Sequence, residues 1–130
     1  MYQAIKKAIA TPEQFKKALL VLRDKSLPES HFAMLRAQCR APGLAITATQ
    51  LAVAAKYENY NAANLQYGTL GLNLASVLGF VPDLKHADGS PCWWTVLSYA
   101  EKGHGEEGTG HFQFIMRPEL AHALREMRWA

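Results

Sequence analysis

Only two cysteines occur in 130 residues, Cys39 and Cys92, so a disulfide framework cannot hold this chain together, and a reduced pair serving as packing residues is expected. No run approaches the roughly 18 consecutive apolar residues of a bilayer span, so no membrane contact is expected. The start, MYQAIKKAIATPEQF, lacks the apolar core and cleavage stretch of a secretory signal, and a cytoplasmic location follows as an expectation. Charge is also sparse: 19% of residues are charged and the formal net charge is +3. That balance permits contact with nucleic acid without the clustered basic surface that would demand it. Internal repeats and low-complexity segments are missing. What remains, 49% apolar residues in a length typical of one domain, predicts a single soluble domain over residues 1–130 with a core of its own.

Groups that could do catalysis are few. His104, Glu106, Glu107 and His111 lie in or beside a glycine-rich stretch, but their spacing matches no helical histidine pair and offers no fixed scaffold for a metal. His31 and Cys39 sit eight residues apart on one predicted helix, more than two turns, too far to act as base and nucleophile. The spacing Gly103-x-Gly105-x-x-Gly108 mimics a dinucleotide fingerprint, yet a strand and not a helix follows it. No catalytic residue, metal or cofactor is therefore assigned, and the chain is read as a non-enzyme.

The stretch from Ile46 to Gly79 organises the rest. It reads as a short helix capped by Thr47 and Gln50 in a reciprocal capping box, a polar turn Lys56-Tyr57-Glu58-Asn59, and a longer helix from about Asn61. Ala63, Tyr67, Leu70, Leu74 and Val77 recur at three- and four-residue steps along the longer helix and predict its buried face. Gln66, Thr69, Asn73 and Ser76 form an uncharged polar face expected to meet water, a partner or base edges. A third stripe, Asn64, Gly68, Gly71 and Ala75, contains two glycines that cost about 1 kcal/mol each inside a helix. Close approach of the preceding helix, or of an external phosphate chain, would compensate.

Upstream, Thr11-Pro12-Glu13-Gln14 marks a strong helix start, and that helix should run to about Lys25 with Phe15, Ala18, Leu19 and Leu22 inward. A second helix follows Pro28 and ends at Arg40, before Ala41-Pro42-Gly43, and Leu44 to Ile46 could be a short extended piece. Downstream, Phe80 to Cys92 reads as an irregular connection. The β-branched and aromatic runs Trp93–Glu101 and His111–Arg117 read as strands joined by a long glycine-rich tip in an antiparallel hairpin. Adjacent Trp93 and Trp94 should then point to opposite faces. A last helix opens at Pro118. A helix pair followed by a hairpin is the element order of a winged helix-turn-helix, so the predicted class is mostly α with a small antiparallel β-hairpin (α+β), a winged helix-turn-helix.

The run ITATQLAVAAKYENYNAANLQYGTLG, with MLRAQCRAPG before it and FIMRPELAHAL after it, resembles a group of small bacterial proteins of undefined activity whose similar segments lie beside or are fused to HNH-type nucleases of the modification-dependent restriction kind. The resemblance spans most of Met34 to Leu124. It implies a nucleic-acid setting, with this chain as a recognition or accessory part, and it carries over no catalytic residues; no HNH nuclease segment is present here.

Asn59, Tyr60, Asn61, Asn64 and Gln66 form the densest amide and aromatic cluster. Amides can bond adenine bidentately in the major groove, and tyrosine can stack on bases or bond phosphate. Lys16, Lys17, Arg36, Arg40 and Lys56 are the cations expected toward phosphates. The resulting expectation is a non-catalytic DNA-binding module, with a link to restriction or phage defence. Its competitor is a winged-helix module for protein contact or homodimerisation, favoured by the acidic hairpin tip around Glu101, Glu106 and Glu107.

Overall fold

Capping chemistry sets most helix boundaries in the computed structural model, which describes residues 7–101 and 109–130. Helix α1 (Pro12–Asp24) starts at Thr11, whose hydroxyl accepts from the Gln14 N–H while the Gln14 side chain accepts from the Thr11 N–H at 2.8 Å. Helix α2 (Glu29–Arg40) follows, and a 3-10 turn over Pro42–Leu44 leads into strand β1 (Ala45–Thr47). Thr47 and Gln50 make the second capping box, opening α3 (Ala48–Ala55). Helix α4 (Tyr60–Leu78) is the longest, and α5 (Pro118–Glu126) begins with proline at its first turn, as its missing N–H favours.

The N-cap of α4 is Asn59, and the helix starts at Tyr60, one residue before the expected Asn61. Asn59 Oδ1 accepts from the Ala62 N–H at 3.0 Å, and its extended backbone leaves Tyr60 and Asn61 in the first helical turn. On the buried face, Ala63, Tyr67, Leu70 and Leu74 are sealed into one core with Phe15, Leu19, Met34, Leu35, Leu51 and Leu120. Both cysteines are buried in that core.

The β region differs from expectation. Strands β2 (Ser98–Tyr99) and β3 (Gln113–Met116) pair antiparallel, with Ser98 opposite Met116. Strand β1 adds on the other side of β3, Ile46 opposite Phe114, so the sheet has three strands in the order β1-β3-β2. The expected strand from Trp93 is a 3-10 turn over Trp93–Val96, closed by Thr95 N–H and Oγ1–H both donating to the Cys92 carbonyl and Leu97 N–H donating to Trp94. Residues 94–100 are all buried, Thr95 and Ser98 among them, and the turn is seated on α4 at Gly71. In this turn the tryptophans do not split between two faces: Trp94 is buried and Trp93 packs half-buried against the same core. The hairpin tip with Glu106 and Glu107 lies outside the described residues, as do residues 1–6.

At Gly71 the small-residue stripe of α4 is occupied by this turn. A Cβ on Gly71 would lie 2.1 Å from the Trp93 carbonyl oxygen, so glycine is what lets that backbone seat on the helix. Gly68 meets nothing within 4 Å.

A buried polar cluster fastens the layers. The Tyr67 hydroxyl donates to Gln38 Oε1 at 2.5 Å and lies 2.6 Å from Ser98 Oγ, while Gln38 Nε2 donates to Ser98 Oγ at 3.0 Å and to the Phe114 carbonyl at 3.1 Å. Burial pushes the Tyr67 hydroxyl well above its usual pKa, and the bonds to Ser98 and Gln38 offset part of that. These contacts join α2, α4 and the sheet, and they hold the hairpin against the helix pair.

Candidate nucleic-acid interface

Helices α3 and α4 meet at a tight turn that projects from the domain. Helix α3 ends at Lys56, whose φ of 61° is left-handed. For a non-glycine residue that conformation costs about 1–2 kcal/mol. Tyr57 secures the turn from below: its N–H donates to the Ala52 carbonyl at 2.9 Å and its hydroxyl to Ser30 Oγ on α2 at 2.9 Å. With Tyr57 pinned, Lys56, Glu58, Asn59, Tyr60 and Asn61 are left exposed together.

The returning arm of the hairpin is fixed beside them. The Gly110 carbonyl accepts from Thr49 Oγ1 at 2.9 Å and from the Thr49 N–H at 3.3 Å, in the first turn of α3. A Cβ on Gly110 would sit 2.6 Å from Thr49 Oγ1 and 3.1 Å from the Tyr60 ring, so the hairpin arm, α3 and α4 converge at one edge. Gln50 and Val53 are exposed on α3 beside this edge, and Leu65 continues it along α4.

Of the ten residues expected to touch nucleic acid, Lys56, Asn59, Tyr60 and Asn61 gather here. Asn64 is half-buried, with its Nδ2 enclosed and unpartnered among the described residues. Gln66 is half-buried and its side chain is engaged, not free toward solvent. Its Oε1 accepts from Nε2 of buried His31 at 2.7 Å, because α2 covers that side of α4. Lys16 is engaged elsewhere, with its ammonium 2.6 Å from Glu13 and 2.9 Å from Glu126; those hydrogen bonds, Glu126 first, raise its pKa. Lys17 on α1 and Arg36 and Arg40 on α2 are exposed on other helices. No known protein family, curated protein or solved structure matches the chain.

Along its remaining length α4 presents a surface without charge, from Tyr60 to Leu78. Leu65 is 69% exposed and Leu72 38%. The hydroxyls of Thr69 and Ser76 donate back to the carbonyls of Leu65 and Leu72, so their protons are committed within the helix.

Two functional-looking residues escaped the sequence reading. Gln38 falls three residues after Leu35 on the inward side of α2, a polar residue at an apolar position, and that spacing is the signal that could have found it. Arg117 is 3% exposed and donates to the carbonyls of Thr95 and Lys7, both at 2.8 Å. Burial lowers its pKa and nearby Glu119 partly restores it. Both are structural ties. No group of three or more His, Cys, Asp or Glu side chains that could hold a metal occurs among the described residues; His104, Glu106 and Glu107 lie outside them, and His111 is exposed. No helix among the described residues is long and apolar enough to cross a membrane.

Proposed function

We propose that the protein is a non-catalytic DNA-binding module of the winged helix-turn-helix type, which offers the α3–α4 turn and the first turn of α4 to the major groove. The order α2, β1, α3, α4, β2, β3 with the sheet order β1-β3-β2 is that of a winged helix, and it supports the reading. The observation that carries it is the exposed set Lys56, Asn59, Tyr60 and Asn61 at the start of α4, with the hairpin arm alongside at Gly110. Lys56 strengthens the case: a cation occupies a left-handed position where glycine would fold better, and strained backbone collects at working sites. A cation, amides and a phenol are the groups that contact phosphates and base edges.

A role beside a modification-dependent nuclease is part of this proposal. The test is a titration of modified and unmodified duplexes across a salt series. Log affinity should fall linearly with log salt, as released counterions require. No binding at low salt, or affinity that never falls with salt, would remove the reading.

A second reading, protein contact or homodimerisation, is favoured by the exposed leucines on the uncharged face of α4. Under it, Leu65→Asp would dissociate an assembly visible by light scattering while DNA titrations stayed flat.

A further inference from the structure

The C-terminal end of α5 folds back along α2 and builds a strip of arginines. Arg36 and Arg40 are exposed one turn apart on α2. Arg125 Nη2 donates to the Cys39 carbonyl at 3.4 Å, which brings α5 to the end of α2 beside Arg40. Three residues on, Arg128 has a φ of 59°, its N–H donates to the Arg125 carbonyl, and the Trp129 N–H returns to Leu124 at 2.9 Å. That reversal sets the Trp129 ring edge-on to Phe32, 5.5 Å between centroids, while the Arg36 guanidinium lies 5.8 Å from the Phe32 ring centre.

None of these four arginines has a carboxylate partner among the ion pairs of the described residues; Glu126, the acid nearest in sequence to Arg125, is held by Lys16 and His122. Four arginines on adjoining elements thus lie without a carboxylate partner among the described residues, which favours an anionic partner. Arginine is the cation whose planar fork matches phosphate oxygens two at a time.

We propose that the Arg36–Arg40–Arg125–Arg128 strip is a second DNA contact, a sequence-independent surface for the phosphate backbone of a duplex, separate from the α3–α4 edge. It rests on the DNA-binding reading for its polymer, and its sequence independence follows from its target, the phosphate oxygens that every duplex presents. Phosphate contacts fix position and affinity, while base contacts select sequence. The strip would hold the duplex backbone while the start of α4 reads bases.

The experiment compares wild type with the fourfold variant Arg36→Gln, Arg40→Gln, Arg125→Gln and Arg128→Gln on a 30-base-pair duplex, roughly three helical turns, by fluorescence anisotropy across a salt series. The log–log salt slope should shrink by about 3–4, because each phosphate contact contributes about 0.9. Affinity at low salt should drop at least about tenfold, and any preference between modified and unmodified duplex should persist. The fourfold lysine variant should keep most of the slope. If the glutamine variant unfolds early by circular dichroism, the double variant Arg40→Gln, Arg128→Gln serves instead, with a slope smaller by about 2. A variant that binds with unchanged slope overturns the strip and leaves the α4 reading standing. Wild-type protein that binds no duplex at low salt removes both. Stronger competition by single-stranded DNA or polyglutamate than by duplex also overturns the proposal, since it would assign the strip to another partner.

Discussion

Alanine at Gly71 and alanine at Gly68 are the same chemical change three residues apart on α4, and they should move stability in opposite directions. Each gains about 1 kcal/mol of helix propensity, partly by restricting the unfolded chain. At Gly68 nothing lies within 4 Å of the new methyl group, so the gain survives. At Gly71 the methyl would sit 2.1 Å from the Trp93 carbonyl oxygen and 2.8 Å from its carbon, both backbone atoms of a turn closed by its own hydrogen bonds. Relief requires lifting the Trp93–Val96 turn off the helix, carrying β2 and the Tyr67–Ser98 contact with it. Overpacking a tight core costs about 1–3 kcal/mol, and the obstacle here is backbone, so the upper part of that range applies. After subtracting the propensity gain, Gly71→Ala should destabilise by about 1–2 kcal/mol net while Gly68→Ala stabilises by about 0.5–1 kcal/mol. Urea unfolding at matched slope measures both, and the melting temperatures should diverge by several degrees. A Gly71→Ala protein as stable as Gly68→Ala would refute the seating of the turn on α4, and with it the placement of the hairpin.

Lys56→Gly should raise folding stability by about 1 kcal/mol, by relieving the left-handed lysine, and at the same time weaken duplex binding; a glycine variant that binds DNA as well as wild type would detach the turn from the function. Gln66→Ala should destabilise by about 1–3 kcal/mol, because it leaves Nε2 of buried His31 without its partner, and denaturant curves unchanged from wild type would deny that bond. Tyr67 supplies a pH dependence. Its folded pKa lies above the unfolded value near 10.0, so above that pH the unfolded chain loses a proton that the folded one keeps, and stability falls as pH rises. Tyr67→Phe should flatten this alkaline decline while lowering stability at pH 7 by about 1–3 kcal/mol, since Gln38 Oε1 and Ser98 lose their partner; equal alkaline slopes would contradict it.

The starts of α1 and α3 were legible because caps are local chemistry: both capping boxes, at Thr11 and Thr47, stand in the sequence as they stand in the fold. The buried face of α4 was legible at Ala63, Tyr67, Leu70 and Leu74, but its other faces were not. Helix α4 is covered from several sides, by α1, α2, α3 and the 3-10 turn, so an uncharged face does not mean a wet one, and Gln66 ended against His31. The run from Trp93 is aromatic and β-branched as a strand would be, yet what bends it is the groove at Gly71, a partner 22 residues away in sequence. Pairing of β1 with β3 joins residues about seventy apart, which no local pattern encodes. The candidate interface was half visible: the turn residues Lys56 to Asn61 announce themselves by composition, whereas the commitment of Lys16 to Glu126 depends on how α1 meets α5.

The most direct test of DNA contact through the α3–α4 edge is an NMR titration of the isotopically labelled protein with duplex. Saturable amide shifts at Lys56, Asn59, Tyr60, Asn61 and Gly110 are expected. Saturation with DNA while these amides stay unmoved, or shifts confined to the Leu72–Ser76 end of α4, would contradict the account.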